Sequence, residues 1–451
     1  MLTIKLISKQ IKEAAYRKRS YAIFILSGYR FLVRVREKLK KSFHNISVYY
    51  EICIAPFVAK NLFFLYWPAY KLLKHFNFCF VVNLAGGAGN TLIELDNFFR
   101  KQYLGEIPLN RRYVLVRKSV GTAKACVKLF ADKFWWIVAN NFVYYLFLPI
   151  TIRCKDITLD VGVSRLKWQL SDKLEAFPPA DGQTYLQQIS KADGLIQCND
   201  YFRRRLKCPE YFPLRIKKVS NRGLIKLLNG NTKNIALIHV KNKVVNATAK
   251  ITDPATYLAA LTHLKNQGYQ VVFVGREIMP EIFSSYGVIN YARSSLASFE
   301  NDLRLFSMAE VVITAGSGIA ALADLAEKPL LYLNSWHLAA VMVSKMCIMV
   351  PTLVKSAAGE YLKFREQIKF YESMLDVGEE SFRKLEGKYV ASNATAEEIL
   401  AALQELMMLK EKYQARSPLQ ERFMEIENQG WLRYSRARYS EYFLKQHVNL
   451  F

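Results

Sequence analysis

The chain has 451 residues, enough to bury one large core or two ordinary ones, so two domains are the opening expectation and a disulfide-held mini-protein is excluded. Half of it is hydrophobic (51%), with only 20 Gly and 13 Pro, which excludes a disordered, collagen-like or low-complexity protein. Lys and Arg number 64 against 38 Asp and Glu, a net charge of +26, so the protein needs an anionic partner: nucleic acid, an anionic membrane surface or a phosphorylated substrate.

Residues 1–75 carry fifteen Lys or Arg against three Glu, nearly half of the excess charge, interleaved with aromatics from Tyr21 and Phe24 to Trp67 and Tyr70. Basic residues alternating with aromatics predict a surface segment lying on anionic lipid; the plainer alternative is a solvated basic helix. No helix-turn-helix, zinc-finger spacing or RNP-like aromatic motif accompanies the charge, which disfavours nucleic acid. The apolar stretch 52–70 contains Lys60, Asn61, Pro56 and Pro68, so it reads as interfacial rather than spanning. The apolar run 21–26 is too short for the core of a secretory signal, and the seven cysteines are scattered without a CxxC pair. A cytoplasmic protein, peripheral on the inner membrane, is expected.

A continuous apolar run from Phe78 to Leu84 ends in Gly86, Gly87 and Gly89 and leads into the helical pattern TLIELDNFFRKQ, the first unit of an α/β sheet. Further strands are expected at 113–116, around Ile150 and at 194–197. The uncharged stretch Phe134 to Ile152 fits a buried helix followed by a core strand over 146–152, because Asn140, Asn141 and Pro149 interrupt it as a membrane span. A basic, Asn- and Gly-rich stretch, 217–234, marks a boundary. A second series follows: a strand at 235–240, a helix from Asp253 to Gly268 capped by Asp253 with Pro254 in its first turn, and strands at 269–275 and 289–291. It continues with a helix at 299–308, a strand at 311–314, a helix at 319–326 and a strand at 329–334. From about 351 onward the chain reads as mainly helical. Strands alternating with helices predict parallel sheets. The expected organisation is α/β, two Rossmann-like domains facing a cleft: 1–77 a membrane-associating segment, 78–222 an acceptor domain, 232–350 a donor domain and 351–451 a helical region.

In such sheets ligands bind beyond the carboxyl ends of the strands, and four places there carry chemistry. The loop containing Gly87, Gly89 and Asn90 permits close backbone approach at a helix N-terminus; otherwise it is a tight turn. A nicotinamide reading is disfavoured because the acidic residue expected about 20 residues on is replaced by Arg117-Lys118. His239 and Lys241 end the first strand of the second series, positioned for phosphate or a sugar hydroxyl, or else a packed His and a solvated basic loop. Arg276 ends the next strand, as a diphosphate contact or part of a surface turn. Gly316, Ser317 and Gly318 form the strongest candidate, a helix-start phosphate cradle, against close helix-on-sheet packing. Glu94 and Asp96, one turn into the first helix, are candidates for general base, with His239 as runner-up; favourable helix N-terminal charge is the alternative for both acids. No DxD pair follows an expected strand, so no metal is expected.

Taken in order, these motifs resemble glycosyltransferases of the two-Rossmann GT-B architecture. The second half is similar to a bacterial glycosyltransferase family of surface-polysaccharide and lipopolysaccharide gene clusters, through HVKN at 239–242, ITDPATYLAAL at 251–261, GYQVVFVGRE at 268–277, INYARSS at 289–295, TAGSGIAALADLAEKPLLYLN at 314–334 and the tail RARYSEYFLKQHVNLF. The loop GGAGNTL at 86–92 is similar to that of GDP-fucose-dependent fucosyltransferases. Two positions depart from the family pattern: Lys241 stands where arginine is usual, losing bidentate phosphate geometry, and Asn290 where an acidic residue is usual. The resemblance implies transfer of a sugar from a nucleotide-sugar donor, the co-substrate and sole cofactor-like molecule, to a glycan or lipid-linked acceptor. The donor would lie on Gly87, Gly89, Asn90, Lys241, Arg276, Gly316, Ser317 and Gly318. The alternatives are a membrane-associated binding protein of the same fold that has lost its chemistry and, on charge alone, a nucleic-acid-binding protein.

Overall fold

A computed structural model describes residues 50, 54–82, 88–116, 126–127, 130–138, 140–161, 193–209, 211, 221–241, 252–335, 342–374, 388–426 and 431–451. Residues 1–49 of the basic segment, Gly86 and Gly87, and Arg117-Lys118 lie outside the described residues.

Among the described residues there are two parallel sheets. The first contains β1 (Phe78–Val82), β2 (Arg112–Val116), β3 (Trp136–Val138) and β4 (Thr158–Asp160), in the order β3-β2-β1-β4. The second contains β5 (Ile235–His239), β6 (Gln270–Phe273), β7 (Ile289–Asn290), β8 (Ala309–Ala315), β9 (Leu330–Ser335) and β10 (Cys347–Pro351). A separate antiparallel pair of β11 (Leu353–Ser356) and β12 (Tyr389–Ser392) follows, and β13 (Arg438–Tyr439) returns to complete the order β13-β10-β9-β8-β5-β6-β7. Every residue of β5, β9 and β10 is buried, as expected of unbroken apolar runs covered on both faces. In the second sheet the chain winds outward in both directions from β5 and β8, so its topological switch point lies between them; in the first sheet it lies between β1 and β4. Those two points are where the fold directs a ligand.

The helices that matter for the site are α1 (Ala55–Asn61), α2 (Trp67–His75), α3 (Ala88–Tyr103), α4 (Asn141–Arg153), α5 (Asp193–Lys207), α6 (Phe299–Met308), α7 (Gly318–Leu325) and α8 (Ala396–Glu411). Three sequence expectations need correction. The stretch 146–152 is not a strand but the body of α4, which Asn140 starts by accepting a hydrogen bond from the Val143 amide at 3.3 Å. Pro149 sits inside that helix and has no N–H for the Tyr145 carbonyl, but the Tyr50 hydroxyl donates to that carbonyl at 3.0 Å in its place. The stretch 194–197 lies in α5, whose inner face holds Tyr201 and Arg205 in a polar network that hydrophobic periodicity does not reveal. The tail is not only helical: β11, β12 and β13 have two to four residues each, too short for a period-2 pattern to register. Helix α8 packs on β9 and β10 behind them.

A buried ionic network ties α3, α5 and α7 together. Asp96 Oδ2 accepts from Arg100 Nε at 2.8 Å and from the Tyr201 hydroxyl at 2.9 Å, with Arg205 Nε at 3.8 Å. Arg205 also bonds the Asp324 carboxylate, whose Oδ1 accepts from the Val343 and Ser344 amides at 2.9 and 2.7 Å. Arg100 spends its remaining donors on the Cys208 and Tyr211 carbonyls, both at 2.7 Å. Opening one side of such a network strands a buried charge. Replacing Asp324 by Ala is expected to destabilise the fold by about 3–5 kcal/mol in chemical denaturation; a loss below about 1 kcal/mol, the scale of an exposed pair, would show that Arg205 finds solvent instead.

Candidate functional site

A cleft of about 400 Å³ opens at the carboxyl ends of both sheets. Gly89 and Leu92 of α3 line it from the first half, and His239, Gly275, Arg276, Glu277, Asp302, Ser317 and Gly318 supply its polar wall from the second. Val274, Phe299, Phe306, Ile319 and Leu322 make up the rest, so a few polar groups converge in an apolar setting, as in most ligand pockets.

Its floor is where the starts of two helices touch. A Cβ on Gly89 would lie 2.8 Å from the Gly318 Cα, and one on Gly318 would lie 3.2 Å from the Gly89 nitrogen. Glycine at 89 is what lets α3 and α7 meet this closely, and glycine at 318 keeps its side of the contact unstrained. Each helix start leaves backbone amides without intrahelical partners and the positive end of a macrodipole, so two anion-attracting termini are side by side. Ser317 caps α7, its hydroxyl accepting from the Ile319 amide at 3.2 Å.

Beside the floor runs a hydrogen-bonded chain across the switch point of the second sheet. His239 and Thr314 are register partners at the ends of β5 and β8, and His239 Nδ1 lies 3.1 Å from Thr314 Oγ1. Thr314 Oγ1 is in turn 3.2 Å from Ser317 Oγ. On the other side His239 Nε2 is 2.9 Å from Glu277 Oε2. A carboxylate only accepts, so Nε2 carries the proton in this bond. Burial would raise the Glu277 carboxyl, but the hydrogen bond and charge of His239, with the Arg276 amide, outweigh it and hold the group at about 2. Gly275 makes room for the pair: its φ is +107°, and a Cβ there would fall 2.5 Å from His239 Cδ2.

Asp302, on α6, is the second carboxyl of the cleft. Burial pushes it up to about 6, with the Tyr291 hydroxyl and the positive charge of Arg276 offsetting part of that rise. One cleft therefore holds a carboxylate fixed in the ionised state and a carboxyl that exchanges its proton near neutrality, the division of labour expected of acid/base sites.

The sequence-derived residues fall into three groups. Gly89, Arg276, Ser317 and Gly318 line the cleft together. His239 lines it too, but it is 2% exposed and both ring nitrogens are engaged, so it orients Glu277 and Thr314 and is not a free base. Glu94 and Asp96 do not line the cleft: both are buried, and Asp96 is held by Arg100 and Tyr201. Their place one turn into a helix suggested chemistry, but α3 is buried on nearly every side. Gly316 packs under the Tyr332 hydroxyl, 3.2 Å from where its Cβ would be, outside the lining. Lys241 is also outside the lining; burial pushes its ammonium down and the charge of Glu277 partly restores it. Asn90 lies in the first turn of α3, and Gly87 is outside the described residues.

Sequence reasoning assigned no role to Glu277 or Asp302. Glu277 was findable, being two residues beyond the strand expected at 269–275; Asp302 was not, since four residues after the capping Ser298 it reads as ordinary first-turn helix charge.

No protein-family model matches the chain, and no curated protein matches it in sequence. Among solved structures it is similar to the UDP-GlcNAc 2-epimerase of Neisseria meningitidis bound to UDP-GlcNAc, at TM-score 0.32 and 12% identity, over 73% of this chain and 98% of that one. A Listeria monocytogenes protein described as a UDP-N-acetylglucosamine 2-epimerase matches at TM-score 0.23 and 12% identity, over 81% of this chain and 95% of that one. Likeness at this level carries no argument about what the chain does.

Two outcomes follow from the geometry. Gly89→Ala forces α3 and α7 apart and is expected to cost about 1–3 kcal/mol in thermal or chemical unfolding; an unchanged midpoint would mean the contact is slack. Asp302 has a native value above its unfolded value of about 3.9, so the folded state holds its proton longer and stability declines as pH rises from about 4 to about 6. Asp302→Asn removes that cost and is expected to stabilise the protein at pH 7 by up to about 3 kcal/mol, with no gain at pH 3. Equal effects at both pH values would refute the assignment.

Proposed function

We propose that the protein is a glycosyltransferase that takes a sugar from a nucleotide-sugar donor and passes it to a hydroxyl of a glycan or lipid-linked acceptor, without a metal ion. The observation that carries this reading is the meeting of two helix N-termini, at Gly89 and Ser317-Gly318, on the floor of a cleft that also holds Arg276 and Asp302. A diphosphate is the group whose paired anionic centres match two adjacent helix starts. Its bond to the anomeric carbon is the bond that breaks, and negative charge accumulates on the departing oxygen. Fixed amide dipoles and the Arg276 guanidinium stabilise that charge without reorganising, which is where most of the rate enhancement of such a reaction arises.

The acceptor hydroxyl forms the new bond to the anomeric carbon and must lose its proton. Asp302 is the cleft carboxyl suited to take it, ionised through most of the neutral range yet basic enough to accept. Glu277, ionised throughout, serves instead to hold His239, which through Thr314 reaches the Ser317 hydroxyl at the cradle.

The reading is tested first by binding. In a thermal-shift panel of UDP-, GDP-, CMP- and ADP-sugars, one nucleotide class is expected to raise the melting temperature, and Ser317→Trp, which fills the cradle, to abolish the shift. No shift with any class would refute the proposal. The cradle is read as a diphosphate site, so a UDP-, GDP- or ADP-sugar is the class expected, and release of its nucleoside diphosphate should slow as pH falls through about 6. Asp302→Asn should lower kcat by about 10²–10⁴ and remove that acid limb. A variant with unchanged kcat and pH profile would exclude Asp302 as the base.

A further inference from the structure

We infer that the outer face of the helical layer on the first sheet docks on an anionic lipid bilayer. The layer consists of α1, the turn Phe63–Leu65, α2 and α4, with α1 packed directly against α4. Its inner side is complete: Phe63, Tyr66, Tyr70, Val143 and Phe147 pack on a core of Phe80, Val114, Val116 and Val138. Other large apolar side chains of the layer are exposed. Phe57, Phe64, Leu65 and Leu72 are 58, 67, 63 and 59% exposed, and Phe142 and Leu146 of α4 are 75 and 48% exposed. So many large exposed apolar side chains on four neighbouring elements mark an interaction site rather than the single exposures of an ordinary surface.

Charge selects the occupant. Neither 54–77 nor 141–153 contains an Asp or Glu, whereas Lys60 and Lys71 are exposed among the apolar residues. The nearby Asp156 is bonded to Lys74 at 2.7 Å. Lys71 Nζ lies 4.6 Å from the centre of the half-exposed Trp67 ring, an amphipathic pair of the kind that settles at a headgroup boundary. An apolar face studded with lysines and free of acids is complementary to acyl chains beneath anionic headgroups. No helix of the described residues is long and apolar enough to cross a membrane, so the contact proposed is with the surface. Helix α4, which the sequence suggested was buried, contributes to this face from a part of the chain remote from the basic segment 1–49. The inference is independent of the transferase reading.

The test uses the full chain and sedimentation with vesicles of phosphatidylcholine, with or without phosphatidylglycerol. The wild type is expected to bind the phosphatidylglycerol vesicles, less so at high salt and less so to phosphatidylcholine alone. Phe142→Ser combined with Leu146→Ser should lower the partition coefficient by about tenfold or more, with circular dichroism and melting temperature showing that the fold persists. Should that pair fail to fold, Phe64→Ser with Leu65→Ser, in the turn, is the equivalent variant. Partition equal to wild type in the folded variant would overturn the inference, because residues elsewhere would then carry any binding. So would a wild type that ignores both vesicles, or one that forms a dimer dispersed by the same substitutions without lipid binding.

Discussion

Everything at the cleft depends on one close approach, the contact between Gly89 at the start of α3 and Gly318 at the start of α7. A single extra carbon at Gly89 would push the helices apart, and one at Gly318 would press on the Gly89 backbone. The contact is held from behind by the ionic network on the same two helices: Asp96 projects from α3, Asp324 from α7, and Arg205 reaches both. Attractive charge on the inner side and the absence of side chains at the tips fix the two dipoles next to each other. Two positive helix ends repel one another weakly when nothing lies between them, so this arrangement is costly without an anion and favourable with one.

The second dependence is the line from Glu277 through His239 and Thr314 to Ser317. It crosses the switch point of the second sheet, where β5 and β8 are neighbours in space but separated in sequence by two further strands. Its effect is to lock the imidazole orientation and to keep one carboxylate ionised while leaving the other, Asp302, to the opposing influence of burial. Two carboxyls lining one small cavity are therefore moved in opposite directions, because Glu277 accepts a hydrogen bond from His239 whereas burial dominates at Asp302.

Much of the architecture was legible because it rests on local chemistry. Asp253 capping at the Ala255 amide, Ser317 capping α7, and the unbroken apolar runs of β1, β5, β8 and β9 are each fixed by residues within a few positions. Where reading failed, the deciding partner was distant. The stretch 146–152 was expected as a strand, but it continues α4 through Pro149, where the Tyr145 carbonyl left without its helical donor accepts from Tyr50, 95 residues before it. Glu94 and Asp96 looked catalytic by proximity to a glycine loop, but α3 is buried nearly all round, and Asp96 is taken up by Tyr201 and Arg205 from the distant α5.

The sequence by itself determined the α/β class, most strands of the second sheet, the two glycine-marked helix starts and the concentration of positive charge at the amino end, since propensity, capping and hydrophobic periodicity act over a single element. Tertiary structure alone decided that the two helix starts form one site rather than two. It also engaged both ring nitrogens of His239, raised the Asp302 carboxyl by burial, and packed α4, with Phe142 and Leu146 exposed, against α1. The reason is the same in each case: proton affinity, exposure and close packing are properties of what surrounds a group, and here the surroundings come from segments that the chain brings together only on folding.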